Sequence, residues 1–146
     1  MHLTIAPLTA ADRAPWEALA RGYKSFYKTD VTAADMDRAW HRLLAEDGVF
    51  GVGAKLDGEL LGIGHYLFHT SVWAPTTCYL QDLFVAPAAR GQGLARALIG
   101  AVADAARQRQ ASRCYWQTQD DNVTARRLYD KVARFNGFIR YDLALD

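Results

Sequence analysis

Apolar positions along the chain recur with two different spacings, and these spacings predict the order of strands and helices. Alternating or continuously apolar stretches are typical of strands, whereas apolar residues three and four positions apart are typical of helices. The predicted strands are His2–Leu8, Val49–Lys55, Leu60–Phe68, Cys78–Val85, Arg113–Thr118 and Phe138–Leu145. The predicted helices run from Thr9 to about Tyr23, from just after Thr32 past Leu44, from Leu94 to near Gln110, and over Asn122–Arg134. The resulting order, β-α-α-β-β-β-α-β-α-β, predicts an α/β fold with a mixed sheet and helices on its faces, in one domain spanning residues 1–146.

Short polar motifs mark where several of these elements begin or turn. Thr32 and Asp35 have the spacing of a capping box, and the same arrangement precedes the first helix at Thr9. Asp57-Gly58 separates two apolar stretches and is the strongest hairpin signal in the chain.

The stretch Leu80–Ala95 joins an apolar strand to a helix through a glycine-rich turn. The strand ends before Pro87, and the turn Arg90-Gly91-Gln92-Gly93 opens directly onto the helix at Leu94. The glycines let the main chain approach a ligand closely, and the first amides of a helix attract anions. Arg90 adds a fixed positive charge. This pattern predicts a binding site for a diphosphate.

Two other nucleotide-binding motifs fit the turn less well. A P-loop is excluded because no Gly-Lys-Ser/Thr follows Gly91 or Gly93 at the required spacing. A dinucleotide fingerprint needs a small residue where this chain has Arg96, and its acidic partner would come earlier than Asp120. A dinucleotide-dependent oxidoreductase therefore remains a weak alternative.

Two motifs resemble the GNAT superfamily of acyl-CoA-dependent N-acetyltransferases. Arg90-Gly91-Gln92-Gly93-Leu94-Ala95 fits the family pattern Gln/Arg-x-x-Gly-x-Gly/Ala, and the block Asn122–Lys131 is similar to the second part of its signature. The resemblance implies a GNAT-like fold whose central sheet is splayed between the fourth and fifth strands. It also implies acetyl-CoA as co-substrate and direct transfer of the acetyl group to a primary amine in a ternary complex.

The resemblance further implies which residues hold the cofactor. Main-chain groups of the fourth strand would bind the pantetheine arm and the thioester carbonyl, and amides of the glycine turn would bind the diphosphate. The expected cofactor contacts are Leu83, Phe84, Val85, Arg90, Gly91, Gln92, Gly93, Leu94, Ala95, Asn122 and Tyr129. Tyr129 would protonate the departing thiolate, although it could instead be a core aromatic residue. Asn122 could bind pantetheine, cap the last helix, or do both.

The group that accepts the amine proton is left open by the sequence. Polyamine-type members of the family carry Glu where this chain has Gln81, and glutamine cannot take a proton. Asp82 is the next candidate, although strand alternation turns it away from the face of Gln81 unless a bulge re-aims it. A water chain ending on His65, Tyr66 or an acid of the second helix is the remaining possibility. A non-catalytic acyl-CoA sensor is the alternative that the missing carboxylate suggests.

The acceptor is expected to be a small-molecule or peptide amine. Tyr23 and Tyr27 lie one helical turn apart at the junction that forms the acceptor lip in this family, and Gln81 is a further candidate contact. The stretches His65–His69 and Leu128–Ala133 look like a GNAT subgroup that includes yeast enzymes assigned to histones, polyamines and D-amino acids. The sequence does not choose among these acceptors.

Composition restricts the partners and the environment. The net charge of +1 argues against a nucleic-acid partner, but residues 1–89 carry 7 Lys/Arg against 10 Asp/Glu while residues 90–134 carry 9 against 4, which suits a polyanionic cofactor in the second part. No apolar run approaches the roughly 20 residues of a membrane span, and the first residues lack a secretory pattern, so a cytoplasmic location is expected. The two cysteines are expected to be reduced core thiols, and the four histidines show no metal spacing. A homodimer could form through the edge strand or the C-terminal strand.

Overall fold

The computed structural model describes residues 1–145 and contains a five-stranded sheet with helices packed against it. The strands are β1 (Leu3–Pro7), β2 (Val49–Leu56), β3 (Glu59–His69), β4 (Thr77–Val85) and β5 (Cys114–Tyr115). The helices are α1 (Arg13–Phe26), α2 (Ala33–Ala45), α3 (Leu94–Gln108) and α4 (Val123–Val132), with single 3-10 turns at Ala10–Asp12 and Pro87–Ala89.

The sheet is mixed, as the sequence predicts. The strands lie in the order β1-β2-β3-β4-β5, with antiparallel pairing up to β4 and parallel pairing of β4 with β5. Asp57 and Gly58 both have positive φ, at 51° and 86°, which is the geometry of a tight hairpin turn between β2 and β3. The hairpin prediction is confirmed.

Helices cover both faces of the sheet. Ile63 of β3 packs in a buried cluster with Trp16 of α1 and Trp40 of α2. A Cβ atom on the preceding residue, Gly62, would instead lie 3.1 Å from Leu98 of α3. Because successive strand residues point to opposite faces, α1 and α2 cover one face, here called the α1 face, and α3 covers the other.

The helix starts follow the predicted capping boxes. The amide of Asp35 donates to Thr32 Oγ1 at 3.1 Å, and the amide of Thr32 donates back to the Asp35 carboxylate at 3.1 Å. At the first helix, the amide of Thr9 donates to Asp12 at 2.8 Å, and Asp12 is also paired with Lys55 of β2 at 3.0 Å. Local hydrogen bonding therefore fixes where both helices begin.

The predicted C-terminal strand, Phe138–Leu145, is wrong: no strand forms over residues 138–145. Side chains there remain exposed, including Phe138 at 80% and Ile139 at 75%. Alternating apolar residues supply only a pattern, and a strand exists only where a neighbouring strand accepts its hydrogen bonds. The fifth strand is likewise shorter than the predicted Arg113–Thr118.

The chain divides into two compact units, Met1–Trp116 and Gln117–Asp146, here called the sheet unit and the C-terminal unit. The sheet unit holds all five strands and helices α1 to α3. The C-terminal unit holds α4, and its described part ends at residue 145. Within it, Arg140 hydrogen-bonds to Gln117 and is paired with Asp142 at 2.8 Å. The prediction of a single domain stays a prediction.

Candidate active site

A bulge in β4 decides which side chains face α1. Tyr66 of β3 pairs with Leu80, but the preceding residue His65 pairs with Asp82, so Gln81 is an extra residue in β4. An unbroken strand would put Gln81 on the same face as Tyr79, and Asp82 on the other. The bulge inverts this order and places Asp82 beside His65 on the α1 face. Gln81 is exposed.

Asp82 is part of a hydrogen-bonded network that begins inside α1. The indole Nε1–H of Trp16 donates to His65 Nε2 at 2.9 Å, and His65 Nδ1 lies 2.9 Å from Asp82 Oδ2. Because Nε2 is occupied as an acceptor, we assign the imidazole proton to Nδ1, which donates to the carboxylate. The side chains of His65 and Asp82 are only 15% and 17% exposed, so water screens this pair weakly.

The carboxyl group of Asp82 is held in its ionised form. Burial raises its pKa, but hydrogen bonds from His65 and Tyr23 and the positive charge of Lys24 outweigh burial, so the pKa lies below its ordinary value. Burial, and then the negative charge of Asp82, raise the pKa of Tyr23 well above its usual range. Tyr23 therefore stays a phenol that donates to Asp82, and it cannot act as a base near neutral pH.

Aromatic rings surround Asp82 on the α1 face. The rings of Tyr23 and Tyr27 lie 4.8 Å apart, and Tyr23 meets Phe84 edge-on at 6.1 Å. Gly22 permits this close approach, because a Cβ atom there would lie 3.2 Å from the Phe84 ring. The sequence placed Tyr23 and Tyr27 at the acceptor lip, and the structure brings both to the carboxylate, whose charge also raises the pKa of Tyr27 after burial.

The rings of Tyr23, Tyr27 and Phe84 form one part of a surface here called the aromatic wall, which continues toward β5. Tyr79 stacks on Tyr115 at 4.9 Å, and the Tyr115 hydroxyl lies 2.8 Å from His69 Nε2. His69 Nδ1 lies 3.2 Å from the carbonyl of Thr70, so Nδ1 carries the proton and Nε2 accepts from Tyr115. Residue spacing carries no signal for these side-chain contacts, because they join residues of three different strands.

The sheet opens next to this wall. Strands β4 and β5 pair only at Cys78 with Cys114 and at Tyr79 with Tyr115, whereas β4 runs on to Val85. Among the described residues no strand pairs with the β5 side of β4 beyond Tyr79. The main chain of Leu83–Val85, predicted to hold pantetheine, lies in this part of β4, and Val85 itself is buried.

The glycine turn follows β4 and leads into α3 as predicted. Gly91 and Gly93 have φ of 80° and 86°, a region that other residues rarely adopt, and a Cβ atom on either would meet open space. Gly93 is the N-cap of α3 and offers no side-chain cap to its first amides. Arg90 is exposed, donates to the Val85 carbonyl at 3.3 Å and lies 5.7 Å from the Phe84 ring centre. The turn thus joins β4 to the uncapped start of α3, with one cation beside it.

The other predicted site residues lie in the C-terminal unit. Asn122 is the N-cap of α4, and its side chain accepts a hydrogen bond from the amide of Ala125 at 3.3 Å. This is the capping role that the sequence left open, and the pantetheine contact remains a prediction. Tyr129 lies in α4, within the motif that resembles the GNAT signature.

The two cysteines are free thiols at paired positions of β4 and β5. Cys78 donates to Cys114, which raises the pKa of Cys78 and lowers that of Cys114. In the part of the chain that the structure describes, no group of three or more His, Cys, Asp or Glu residues could hold a metal ion. No helix within residues 1–145 is long and apolar enough to cross a membrane.

Comparison with known proteins identifies the family to which this chain belongs. The sequence profile of the family described as Acetyltransferase (GNAT) matches residues 16–135. The chain belongs to the GNAT acetyltransferase family. The GNAT resemblance of the glycine turn is therefore confirmed. Of the two co-substrates considered for this turn, the family match supports acetyl-CoA and not a dinucleotide. This acetyltransferase moves an acetyl group from acetyl-CoA to an amine.

Individual relatives agree with the family match. The acetyltransferase is 28% identical over 136 residues to the D-amino-acid N-acetyltransferase HPA3 of Saccharomyces cerevisiae, covering 90% of this chain and 84% of that protein. The ribosomal-protein-alanine N-acetyltransferase from Brucella melitensis biovar Abortus 2308 superposes with a TM-score of 0.82 at 25% identity, over 99% of this chain and 100% of that one. The aminoglycoside enzyme AAC(6')-Iy, solved with a CoA-containing bisubstrate analogue, superposes with a TM-score of 0.87 over 100% of both chains, but at 16% identity it shows the fold alone.

Proposed function

We propose that this acetyltransferase binds acetyl-CoA along the open part of β4 and the glycine turn, and that an amine held beside Asp82 attacks the thioester directly. The β4 bulge at Gln81 supports this most strongly. It places the largely buried carboxylate of Asp82 at the position where the opening between β4 and β5 meets the aromatic wall. The acceptor and the thioester would then approach the same stretch of β4 from two directions.

The cofactor would be held mainly by the main chain. Amides around Gly91, Gly93 and the start of α3 would bind the diphosphate, aided by Arg90. The backbone of Leu83–Val85 would continue its strand pairing with the pantetheine arm, with Asn122 as a further contact. One amide of this strand would stabilise the oxyanion of the tetrahedral intermediate, since a fixed donor costs no reorganisation when charge develops.

Asp82 would hold the acceptor amine and would not be the final proton acceptor. For an ammonium with pKa about 10.4, release of the proton to water at pH 7 costs roughly 4 to 5 kcal/mol, whereas transfer to a carboxyl of pKa about 4 costs roughly 9 kcal/mol. The lowered pKa of Asp82 makes that transfer still less favourable. Its role is therefore to bind and orient the amine, and the proton leaves to solvent.

Tyr129 would protonate the departing thiolate, a role that follows from its motif. A phenol with an ordinary pKa near 10 can donate to a thiolate formed in the reaction. Neither cysteine is needed to carry the acetyl group, because the amine reaches the thioester directly. Cys114→Ser is expected to retain turnover, and ping-pong kinetics would contradict the ternary complex.

A thiol-release assay over amines of graded charge, run beside calorimetry with CoA and acetyl-CoA, tests this function. We expect micromolar to millimolar binding of acetyl-CoA and release of free thiol that requires an amine. Binding without amine-dependent thiol release over the whole panel would instead support the acyl-CoA sensor. Absence of any association with CoA or acetyl-CoA would overturn the cofactor site.

A further inference from the structure

A basic pocket lies at the C-terminal end of α1 and in the connection to α2. It has a volume of about 380 Å³ and lies wholly within the sheet unit. Its lining residues are Arg21, Lys24, Ser25, Lys28, Thr29, Asp30 and Val31. The lining therefore contains three cations, one carboxylate and two hydroxyl groups. The pocket is separate from the strand edges and from the glycine turn.

The positive charge of this basic pocket is mostly uncompensated. Arg21 donates to the Val31 carbonyl at 3.2 Å and lies 3.8 Å from Glu17, so it holds the connection in place. Within the described residues, neither Lys24 nor Lys28 forms an ion pair with a carboxylate at 4.0 Å or less, although Asp30 also lines the pocket. An incoming anion would meet two ammonium groups that are in no close ion pair, although the charge of Lys24 also acts on Asp82.

Lys28 occupies a position at which glycine is usual. Its φ is +55°, and the amides of Lys28 and Thr29 donate back to the carbonyls of Ser25 and Lys24 at 3.0 Å and 2.8 Å. This is the Schellman ending of a helix, whose left-handed residue is most often glycine. The chain carries a lysine there at a conformational cost, and that lysine is part of the lining of the basic pocket.

The basic pocket adjoins the acceptor site through α1. Lys24 lines the pocket, and its charge also acts on Asp82. The neighbouring residue Tyr23 hydrogen-bonds to Asp82. The residue that bonds to the Asp82 carboxylate and a residue that lines the basic pocket are thus consecutive in α1.

We propose that the basic pocket binds a carboxylate of the acceptor while Asp82 holds its amine, so that the acceptor is a free amino acid. This inference rests on the proposed function, because it extends the same acceptor site. Arg21 shapes the recess, and Lys24 and Lys28 contribute the charges. A simple monoamine or a polyamine would leave both lysines without a partner.

The test compares an amino acid with its carboxamide as acceptors. The carboxamide lacks the negative charge and also has a less basic amine, so each kcat/KM is corrected for the neutral fraction of its amine. We expect the wild-type enzyme to prefer the amino acid by roughly tenfold in kcat/KM. Lys28→Gly removes the charge while keeping the left-handed backbone without strain, and it should reduce this ratio several-fold. Lys28→Glu should abolish or reverse the ratio. Arg42→Glu, an exposed residue of α2 outside the pocket, makes the same change in net charge and should leave the ratio unchanged.

Three results would overturn the inference. The first is a wild-type ratio of kcat/KM, amino acid over carboxamide, that is near one. The second is an equal ratio in Lys28→Glu and wild type. The third is a loss of CoA affinity in Lys28→Glu, which would assign the pocket to the cofactor. If the wild type released thiol with neither of these acceptors but did so with other amines, the inference would fail and the proposed function would stand. If it released thiol with no amine of the panel, the proposed function would have failed. Calorimetry with the amino acid and its carboxamide would then decide the pocket alone: tighter binding of the amino acid, lost in Lys28→Glu, supports it, and equal binding contradicts it.

Discussion

The proposed acceptor side and the proposed cofactor side of the site are built by different means. On the acceptor side, side chains from separate elements converge, with Trp16, His65 and Asp82 joined by two hydrogen bonds of 2.9 Å. On the proposed cofactor side, the main chain of Leu83–Val85 is not paired with β5, and a Cβ atom at Gly91 or Gly93 would meet open space. The difference teaches that the cofactor, which is common to a family, can be bound by backbone geometry, whereas acceptor choice depends on individual side chains.

The largest effect is expected from a change at Tyr129, the side chain proposed to protonate the leaving thiolate. Tyr129→Phe removes the hydroxyl that would protonate the thiolate, and loss of a general acid lowers kcat by about 10²- to 10⁴-fold. Calorimetry should show unchanged affinity for acetyl-CoA, because the main-chain contacts remain. Tyr141→Phe, an exposed tyrosine of the same unit, is the matched control and should keep full activity. Equal turnover in both variants would remove Tyr129 from the mechanism.

A smaller loss is expected when the charge of the acceptor side is removed. Asp82→Asn keeps an acceptor for the His65 proton but cannot pair with an ammonium, and kcat/KM for the amine should fall by about 30- to 150-fold, equivalent to 2 to 3 kcal/mol. CoA affinity should not change. Adding Gln81→Glu to this variant tests the bulge: recovery of activity would return the carboxylate role to position 81.

The same variant gives a pH signature in stability. The pKa of Asp82 is lower in the folded protein than in the unfolded chain, so the ionised group stabilises the fold above about pH 4 and this stabilisation is lost as pH falls through the folded pKa. The difference in unfolding free energy between wild type and Asp82→Asn should therefore shrink with acidification below pH 4. A difference that grows on acidification would contradict the assigned ionisation.

The backbone character of the cofactor side can be tested with one methyl group. Gly93→Ala places a side chain at φ of 86°, where left-handed geometry costs about 1 to 2 kcal/mol. The free turn should relax to relieve this strain, and acetyl-CoA must then restore the left-handed backbone when it binds. Affinity for acetyl-CoA should therefore fall by roughly 5- to 30-fold. Gly58 has the same φ in the β2–β3 hairpin, so Gly58→Ala should cost similar stability and leave CoA binding intact. Equal CoA affinity in the two variants would mean that the turn is structural only.

The same contrast explains what could be predicted from sequence. The glycine turn and the capping boxes depend on residues a few positions apart, so their residue types alone were informative. The role of Asp82 depends on the pairing register of two strands, which inserts Gln81 as a bulge. Trp16 was missed altogether, since it lies 49 residues from His65 and is 1% exposed, like any core residue of an amphipathic helix. The absent strand at Phe138–Leu145 has the same cause, because alternation cannot show whether a pairing partner exists.

The smallest effect should come from Trp16, which lies at the end of the hydrogen-bonded network opposite to Asp82. Trp16→Phe removes the Nε1–H that fixes the tautomer of His65, a hydrogen bond contributing about 1 kcal/mol, so kcat/KM should fall by about fivefold. Trp40→Phe is the matched control. The Trp40 ring is tilted against that of Trp16, with centroids 4.8 Å apart in the same buried cluster, but it is not hydrogen-bonded to His65. Both variants should lose stability through the cavity they create. Only Trp16→Phe should alter the ¹⁵N chemical shifts that report the His65 tautomer, and identical spectra in the two variants would show that the indole packs against His65 without orienting it.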